Sequence, residues 1–225
     1  SQRPPLDTAA IITALQPLKT GSPTAGRASL LSCLRQNLTD TRTQLEQDFY
    51  DHNDGALYVG MHAWTIDLVL QILFEQARLY FNGGEDLAVI AVGGYGRGEM
   101  APFSDVDIMF LIPKKAGAAH LKTIEFMLYI LWDLGLKIGH STRTVAEALD
   151  VAGKDQTILT SLLEMRLISG DTALWKKLND TVHKHIAKQK PLAFVEEKLA
   201  EREIRHKRYG DTRYVVEPNI KDGKG

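Results

Sequence analysis

The chain has 225 residues, 27 Lys plus Arg against 28 Asp plus Glu, and 44% apolar residues. This length holds one large domain or two small ones, and this composition excludes wholesale disorder, collagen-like sequence and a disulfide scaffold. A net charge of −1 supplies no global pull toward nucleic acid or an anionic membrane, so a nucleic-acid partner is not expected, although a local basic site for a nucleotide remains compatible with it.

Ser1-Gln2-Arg3-Pro4-Pro5 has no apolar core and does not read as a signal peptide. Residues 6–18 form a short apolar-periodic piece. After the break at Gly21-Ser22-Pro23-Thr24, apolar residues recur at Leu30, Leu31, Leu34, Leu38, Leu45 and Phe49. Those intervals follow the helical period and mark one helix face. Cys33, the single cysteine, cannot form an internal bridge, which points to a reducing compartment, the cytoplasm. No activating partner lies near it in sequence, so it reads as inert. Asn53-Asp54-Gly55 is a turn signal. Residues 56–81 carry Leu57, Met61, Trp64, Leu68, Ile72 and Ala77, with further apolar positions around the helix, as expected of a largely buried one. Gly83 and Gly84 are expected to end it. No run of about 18 consecutive apolar residues occurs, so no membrane span is expected.

The period then changes. Leu87-Ala88-Val89-Ile90-Ala91-Val92 reads as an interior strand. A glycine-rich loop, Gly93 to Phe103, leads into a second strand, Ser104-Asp105-Val106-Asp107-Ile108-Met109-Phe110-Leu111-Ile112. His120–Leu134 predicts an amphipathic helix with Leu121, Ile124, Leu128, Leu131 and Leu134 aligned, stopped by Gly135. Leu136–Thr142 predicts a third strand. Thr144 and Glu147 form a capping box. A helix is predicted near 156–168, ending at Gly170, and another is capped by Asp171 and runs to about 189. Pro191 opens a last helix with the i,i+4 pairs Glu197/Glu201, Glu201/Arg205 and Glu203/Lys207. The tail from Tyr209 is turn-rich. Trp64, Trp132 and Trp175 sit in apolar stripes and are assigned to the core.

The chemistry concentrates between the first two strands. Alternation places Asp105 and Asp107 on one strand face with Cα atoms about 6.6–6.8 Å apart, while Val106, Ile108 and Phe110 take the other face toward the core. Two such carboxylates can hold Mg²⁺, or Mn²⁺, through oxygen, and a pair of ions would stabilise both oxygens of an in-line displacement at phosphorus. Gly93 and Gly94 let backbone amides approach a phosphate. Gly98 continues the loop, Arg97 can grip phosphate oxygens, and Ser104 can donate a hydroxyl beside the carboxylates. A lone D-x-D or Gly-Gly is common. The ordered succession of apolar strand, glycine loop, acidic strand and helix is far more specific, and its logic is nucleotidyl transfer.

Val92-Gly93-Gly94-Tyr95-Gly96-Arg97-Gly98-Glu99 followed by Ser104-Asp105-Val106-Asp107 closely resembles the nucleotidyltransferase domain of the bifunctional PII uridylyltransferase/uridylyl-removing enzymes of bacteria, within the DNA polymerase β-like superfamily. The resemblance continues through Gly139-His140-Ser141-Thr142-Arg143-Thr144, through Leu162 to Asp171, and in Tyr209-Gly210 and Glu217-Pro218-Asn219-Ile220-Lys221-Asp222-Gly223-Lys224-Gly225, covering roughly residues 56–225. It implies transfer of UMP from UTP to a tyrosine of the PII nitrogen-signalling protein with release of pyrophosphate. Gly93 and Gly94 would lie under the phosphates, and Asp105 and Asp107 would bind metal. It also implies that uridylyl removal and glutamine sensing belong to hydrolase and ACT domains outside this chain, which has no His-Asp dipeptide. The expectation is an N-terminal piece of a longer enzyme.

Superfamily members usually place a third carboxylate on the later strand, yet Leu136–Arg143 holds no Asp or Glu. Asp155, Glu164 and Glu99 are the candidates to replace it, and His140 is read as a packed or surface residue. His183 and His185 at i,i+2 point apart on a helix, which disfavours a shared metal. Arg202, Arg205, Lys207 and Arg208 read as a solvated face, or alternatively as a contact to triphosphate or PII. The expected fold is α+β, with a small mixed β-sheet nucleotidyltransferase core (83–144) between an N-terminal helical segment (1–82) and a C-terminal one (145–225). Two functional alternatives stay open: a related transferase using ATP or another acceptor such as glutamine synthetase, and a regulatory nucleotide-binding module without turnover.

Overall fold

A computed structural model describes residues 6–20 and 23–187, together with Leu199, Glu203 and Ile204. Three helices come first: α1 (Thr8–Thr20), α2 (Pro23–His52) and α3 (Gly55–Phe81). The Asp54 carboxylate accepts from the Leu57 N–H and caps α3, offsetting one of the amides a helix start leaves unpaired. At its other end Asn82, rather than Gly83 or Gly84, takes the left-handed cap position at φ 52°. Asn is the side-chain-bearing residue that tolerates this geometry best.

Beyond α3 strands and helices are interleaved, with two helices in succession between the last two strands: β1 (Ala88–Ala91), α4 (Gly93–Gly96), β2 (Val106–Leu111), α5 (Ala118–Asp133), β3 (Ile138–Arg143), α6 (Val145–Ala152), α7 (Gln156–Leu163), β4 (Arg166–Gly170) and α8 (Thr172–Ala187). One sheet runs in the order β3-β2-β1-β4. β1 is antiparallel to β2 and to β4, and β2 is parallel to β3. The parallel pair needs a crossover, which α5 provides. The fold is therefore α+β with a small mixed sheet, as the sequence implies.

The strand β4 corrects the sequence reading, which extends a helix to residue 168 and stops the sheet at β3. α7 ends at Leu163, and Arg166–Gly170 lies along β1. Leu162, Leu163, Met165, Leu167 and Ile168 fit a helical stripe as well as a buried strand, and short apolar runs do not decide between the two. The expected helix from Pro191, its charge pairs and the tail lie outside the described residues, apart from three isolated positions.

The sheet has two covered faces. Leu87, Val89, Ala91, Val106, Ile108 and Phe110 point toward α3 and α5 and join Leu70, Leu73 and Phe74 in the larger core. Ala88, Ile90, Met109 and Leu111 point the other way, against Leu159 and Leu162 of α7 and Leu178 and Val182 of α8. Each fully buried Leu, Ile or Phe stabilises the fold by about 1.5–3 kcal/mol. The absence of a strictly continuous apolar run does not describe α3 fully: it is long and apolar enough to cross a membrane by length and mean hydropathy. Here Ile66, Val69, Leu70, Leu73, Phe74 and Ala77 of it are buried in the core, while Leu79 and Tyr80 at its end are exposed. Four residues placed in apolar stripes by periodicity are exposed instead, Trp132 and Leu121 at 46% and 52%, and Phe49 and Leu57 less so.

Candidate active site

Parity along β2 decides which side of the sheet is chemical. Val106, Ile108 and Phe110 are buried in the larger core, so Asp107 takes the opposite face, in line with Met109 and Leu111. Asp105 sits one residue before the strand and is exposed, while Asp107 is half-buried. Parallel pairing sets Asp107 beside Gly139 of β3. A Cβ at Gly139 would collide with Asp107 Oδ1 and stand 3.4 Å from Cγ. The missing side chain on β3 is the space the carboxylate occupies, and a glycine inside a strand signals such a close approach.

β1 hands the chain to the glycine turn on the same side. Val92 is extended and donates its N–H to the Asp107 carbonyl at 3.0 Å. Gly93 follows at φ 58°, a left-handed conformation that residues with a Cβ rarely adopt. The sequence leads one to expect an open loop; residues 93–96 instead make one helical turn, α4. A Cβ at Gly93 would lie 3.7 Å from Asp107 Oδ2 and 3.9 Å from Ser161 Oγ. β2, the glycine turn and α7 thus bring a carboxylate, a bare backbone and a hydroxyl to one point. Nothing in sequence separates Ser161 from any other helical serine, and it was not anticipated.

The other expected residues are distributed around this point. Arg97 is half-exposed and donates to Glu164 Oε2 at 2.8 Å, with Glu99 at 3.7 Å. Two of the three candidate carboxylates therefore hold the loop arginine. The third, Asp155, caps α7 by accepting from the Thr157 and Ile158 amides. His140 pairs with Ile108 across β2–β3 and stacks edge-on to Trp132, 5.7 Å between centroids. That places it on the sheet face away from Asp107. Gly98 adopts φ 75° with open space around it, and Ser104 lines a cavity on the α2–α3 side together with Val106. Among the described residues no three His, Cys, Asp or Glu side chains cluster as a ready metal cage.

A buried network fixes the turn from behind. Asp67 of α3 accepts from the Tyr95 hydroxyl at 2.5 Å and from both terminal nitrogens of Arg166 at 2.6 and 3.1 Å. Arg166 also donates to the Gly96 and Tyr95 carbonyls at 3.3 and 3.4 Å, and its guanidinium lies over the Tyr95 ring. Burial, and then the adjacent Asp67 carboxylate, push the Tyr95 phenol well above its ordinary pKa. Burial opposes the charge on Arg166, but the bonds to Asp67 outweigh it and raise its pKa. Asp67 and Arg166 are 99 residues apart, too far for any local pattern to reveal the pair.

The arrangement can be set beside known proteins. Residues 70–160 match the family model described as "Nucleotidyltransferase domain", and residues 193–225 match "GlnD PII-uridylyltransferase". A bifunctional uridylyltransferase/uridylyl-removing enzyme of Rhodospirillum rubrum is 45% identical over 206 residues, covering 88% of this chain and 22% of that protein. The chain belongs to this family of nucleotidyltransferases. The enzyme of the same name from Rhodopseudomonas palustris is 40% identical over 223 residues, covering 96% of this chain and 24% of its own length. That from Erythrobacter litoralis is 39% identical over 231 residues, covering 100% and 25%. The chain spans about a quarter of the length of these curated relatives. The nucleotidyltransferase match runs from α3 into α7 and includes the glycine turn, Arg97, Asp105, Asp107 and Gly139, but stops short of Ser161, Glu164 and Arg166. The later match lies outside the described residues apart from Leu199, Glu203 and Ile204, and Arg202, Arg205, Lys207 and Arg208 lie outside them altogether.

Proposed function

We propose that the chain carries the uridylyl-transfer site of a longer bacterial enzyme, one that moves UMP from UTP to a tyrosine of the PII signalling protein and releases pyrophosphate in the cytoplasm. The observation that carries this reading is the meeting of Asp107, the Gly93 backbone and the Ser161 hydroxyl at one point, in a chain whose relatives are named for uridylyl transfer.

The donor set suits a hard cation. Asp105 and Asp107 offer oxygen alone, and Mg²⁺ is commonly held by one or two carboxylates with water and substrate phosphate filling the other positions. The space that Gly139 leaves free accommodates the Asp107 carboxylate. Asp105 and Asp107 are the residues that would hold Mg²⁺ or Mn²⁺. Bound there, the ion supplies charge neutralisation on the triphosphate and at the reacting phosphorus.

The chain's own groups do the rest. Gly93, Gly94 and Gly98 let the backbone reach the phosphates without a side chain in the way. Arg97 grips a phosphate oxygen by exchanging its bond to Glu164 for one to the nucleotide, a bidentate geometry suited to guanidinium. Ser104, expected beside the carboxylates, lines the cavity on the α2–α3 side instead and makes no phosphate contact in this reading. The acceptor phenol has a pKa of about 10 and is a weak nucleophile at neutral pH, so metal coordination or a carboxylate base must activate it.

The test uses the intact protein with PII, α-labelled UTP and Mg²⁺. The reading expects label on a PII tyrosine and its loss with Asp107→Asn. Saturable UTP binding with no labelled PII would assign the site to nucleotide sensing, and preference for ATP over UTP would replace the substrate.

A further inference from the structure

On the opposite side of the sheet edge from Asp107, a cavity of about 410 Å³ opens between α2, α3, the 100–104 loop and the α5–β3 turn. We propose that it is a second ligand site, separate from the nucleotide site, for a small organic anion that joins a carboxylate or phosphate to an apolar body.

Its size is that of a small-molecule pocket, and such pockets combine apolar walls with a few placed polar groups. The floor is Leu38, Leu45, Ile66, Val106 and Leu136. Arg35, Arg42 and Lys137 stand around it, and among the described residues no carboxylate lines it. Arg35 donates one hydrogen bond to the Asp133 carbonyl, a neutral acceptor. Arg42 is bound to Glu46 at 2.9 Å, an exposed pair of the kind that contributes little and exchanges readily. The local field is therefore positive. His62 also lines the cavity; burial lowers its pKa, its hydrogen bond to the Met100 carbonyl opposes that, and Arg42 adds a smaller lowering. Its Nδ1 faces the Met100 carbonyl at 3.3 Å. A carbonyl only accepts, so Nδ1 carries the proton there.

The wall of this cavity is the connection between the glycine turn and Asp105. Met100 is pinned to α3 by its amide on the Val59 carbonyl and by His62. Phe103 holds a left-handed φ of 65° and is 71% exposed, with the Arg42 guanidinium 4.4 Å from its ring centroid. A phenylalanine rarely adopts this conformation, and such strain persists where surrounding contacts hold it. An anion drawn to Arg35, Arg42 and Lys137 competes directly with Phe103 for Arg42. Occupancy thus bears on the two residues that precede Asp105, which makes the site a route by which a metabolite anion alters nucleotide affinity. That consequence rests on the proposed function above; the binding itself does not.

The experiment titrates the intact protein with phenyl phosphate, benzoate and inorganic phosphate by calorimetry. Saturable binding of phenyl phosphate or benzoate is expected, and the tighter of the two names the headgroup. Arg35→Ala and Lys137→Glu, both at exposed positions, should each weaken it about tenfold, a loss of about 1.4 kcal/mol. Asp107→Asn should leave it unchanged. Failure of both aromatic anions to bind, binding indifferent to Arg35→Ala and Lys137→Glu, affinity no better than that of inorganic phosphate, or loss of binding with Asp107→Asn would each overturn the proposal. Retained aromatic-anion binding in a protein that transfers no UMP would overturn the transferase reading alone.

Discussion

Removing Asp67 should loosen the glycine turn from behind while leaving every phosphate-side group in place. The Asp67 side chain is 13% exposed and accepts from Tyr95 and from two nitrogens of Arg166. Breaking a buried pair on one side costs about 3–5 kcal/mol, because the surviving charge stays desolvated. Arg166 is 34% exposed, so water reaches its guanidinium and the lower figure applies. Asp67→Ala should therefore destabilise by about 3 kcal/mol, lowering Tm by about 6–12 °C in a chain of this size. Tyr95→Phe removes one bond to a carboxylate that Arg166 still satisfies, and should cost about 1.5 kcal/mol. The double variant should lose less than the sum, since both changes act on one network. Urea unfolding of the four proteins, followed by circular dichroism, reads all three quantities. An Asp67→Ala cost below about 0.5 kcal/mol, within the range of an ordinary surface change, or strict additivity with Tyr95→Phe, would refute the clamp.

The same network sets an alkaline limit. Tyr95 has a folded pKa well above its ordinary value, so below pH ~10 both states keep the phenol protonated and its contribution is fully present. As pH rises past that point the unfolded chain releases the proton and the folded one does not. Stability then falls by up to about 1.36 kcal/mol per pH unit for this group, and unfolding in an alkaline series should show Tyr95→Phe with the shallower slope. Gly139→Ala forces the Asp107 carboxylate out of its space; since a displacement of about 1 Å at a reacting centre can cost 10²-fold, UMP transfer in a radiolabel assay should drop by about that factor while circular dichroism stays native. Ser161→Ala should raise the KM for nucleoside triphosphate with kcat less affected, and Ser161→Thr should restore it in steady-state kinetics. Gly96→Ala would drive a Cβ into the Glu164 carbonyl, and thermal melts should show a loss of about 1–3 kcal/mol.

How far the site could be read in advance follows from the range of each interaction. Asp107 was legible because strand alternation is local: Val106 and Ile108 reveal the core side, and the carboxylate must take the other. Gly93 was legible as punctuation between two apolar runs, although the helical turn it starts was not. Gly139 contributes by lacking a side chain, and the signal that could have found it, a glycine within a predicted strand, carries no chemistry until its neighbour is known. Ser161, Asp67 and Arg166 reach the site only through tertiary proximity across 68, 28 and 99 residues, and no periodicity encodes those. Strand β4 was hidden for a different reason, since Leu167 and Ile168 continue the apolar spacing of α7 and only the pairing with β1 distinguishes strand from helix.

The proposed transfer requires Asp105 and Asp107 together to hold a divalent ion against a triphosphate at the glycine turn. Mn²⁺ binding, followed by electron paramagnetic resonance in the intact protein with and without UTP, tests it most directly. UTP should tighten Mn²⁺ binding in the unaltered protein, and Asp105→Asn or Asp107→Asn should each abolish that tightening without unfolding the chain. UTP-coupled Mn²⁺ binding that survives both substitutions would contradict it.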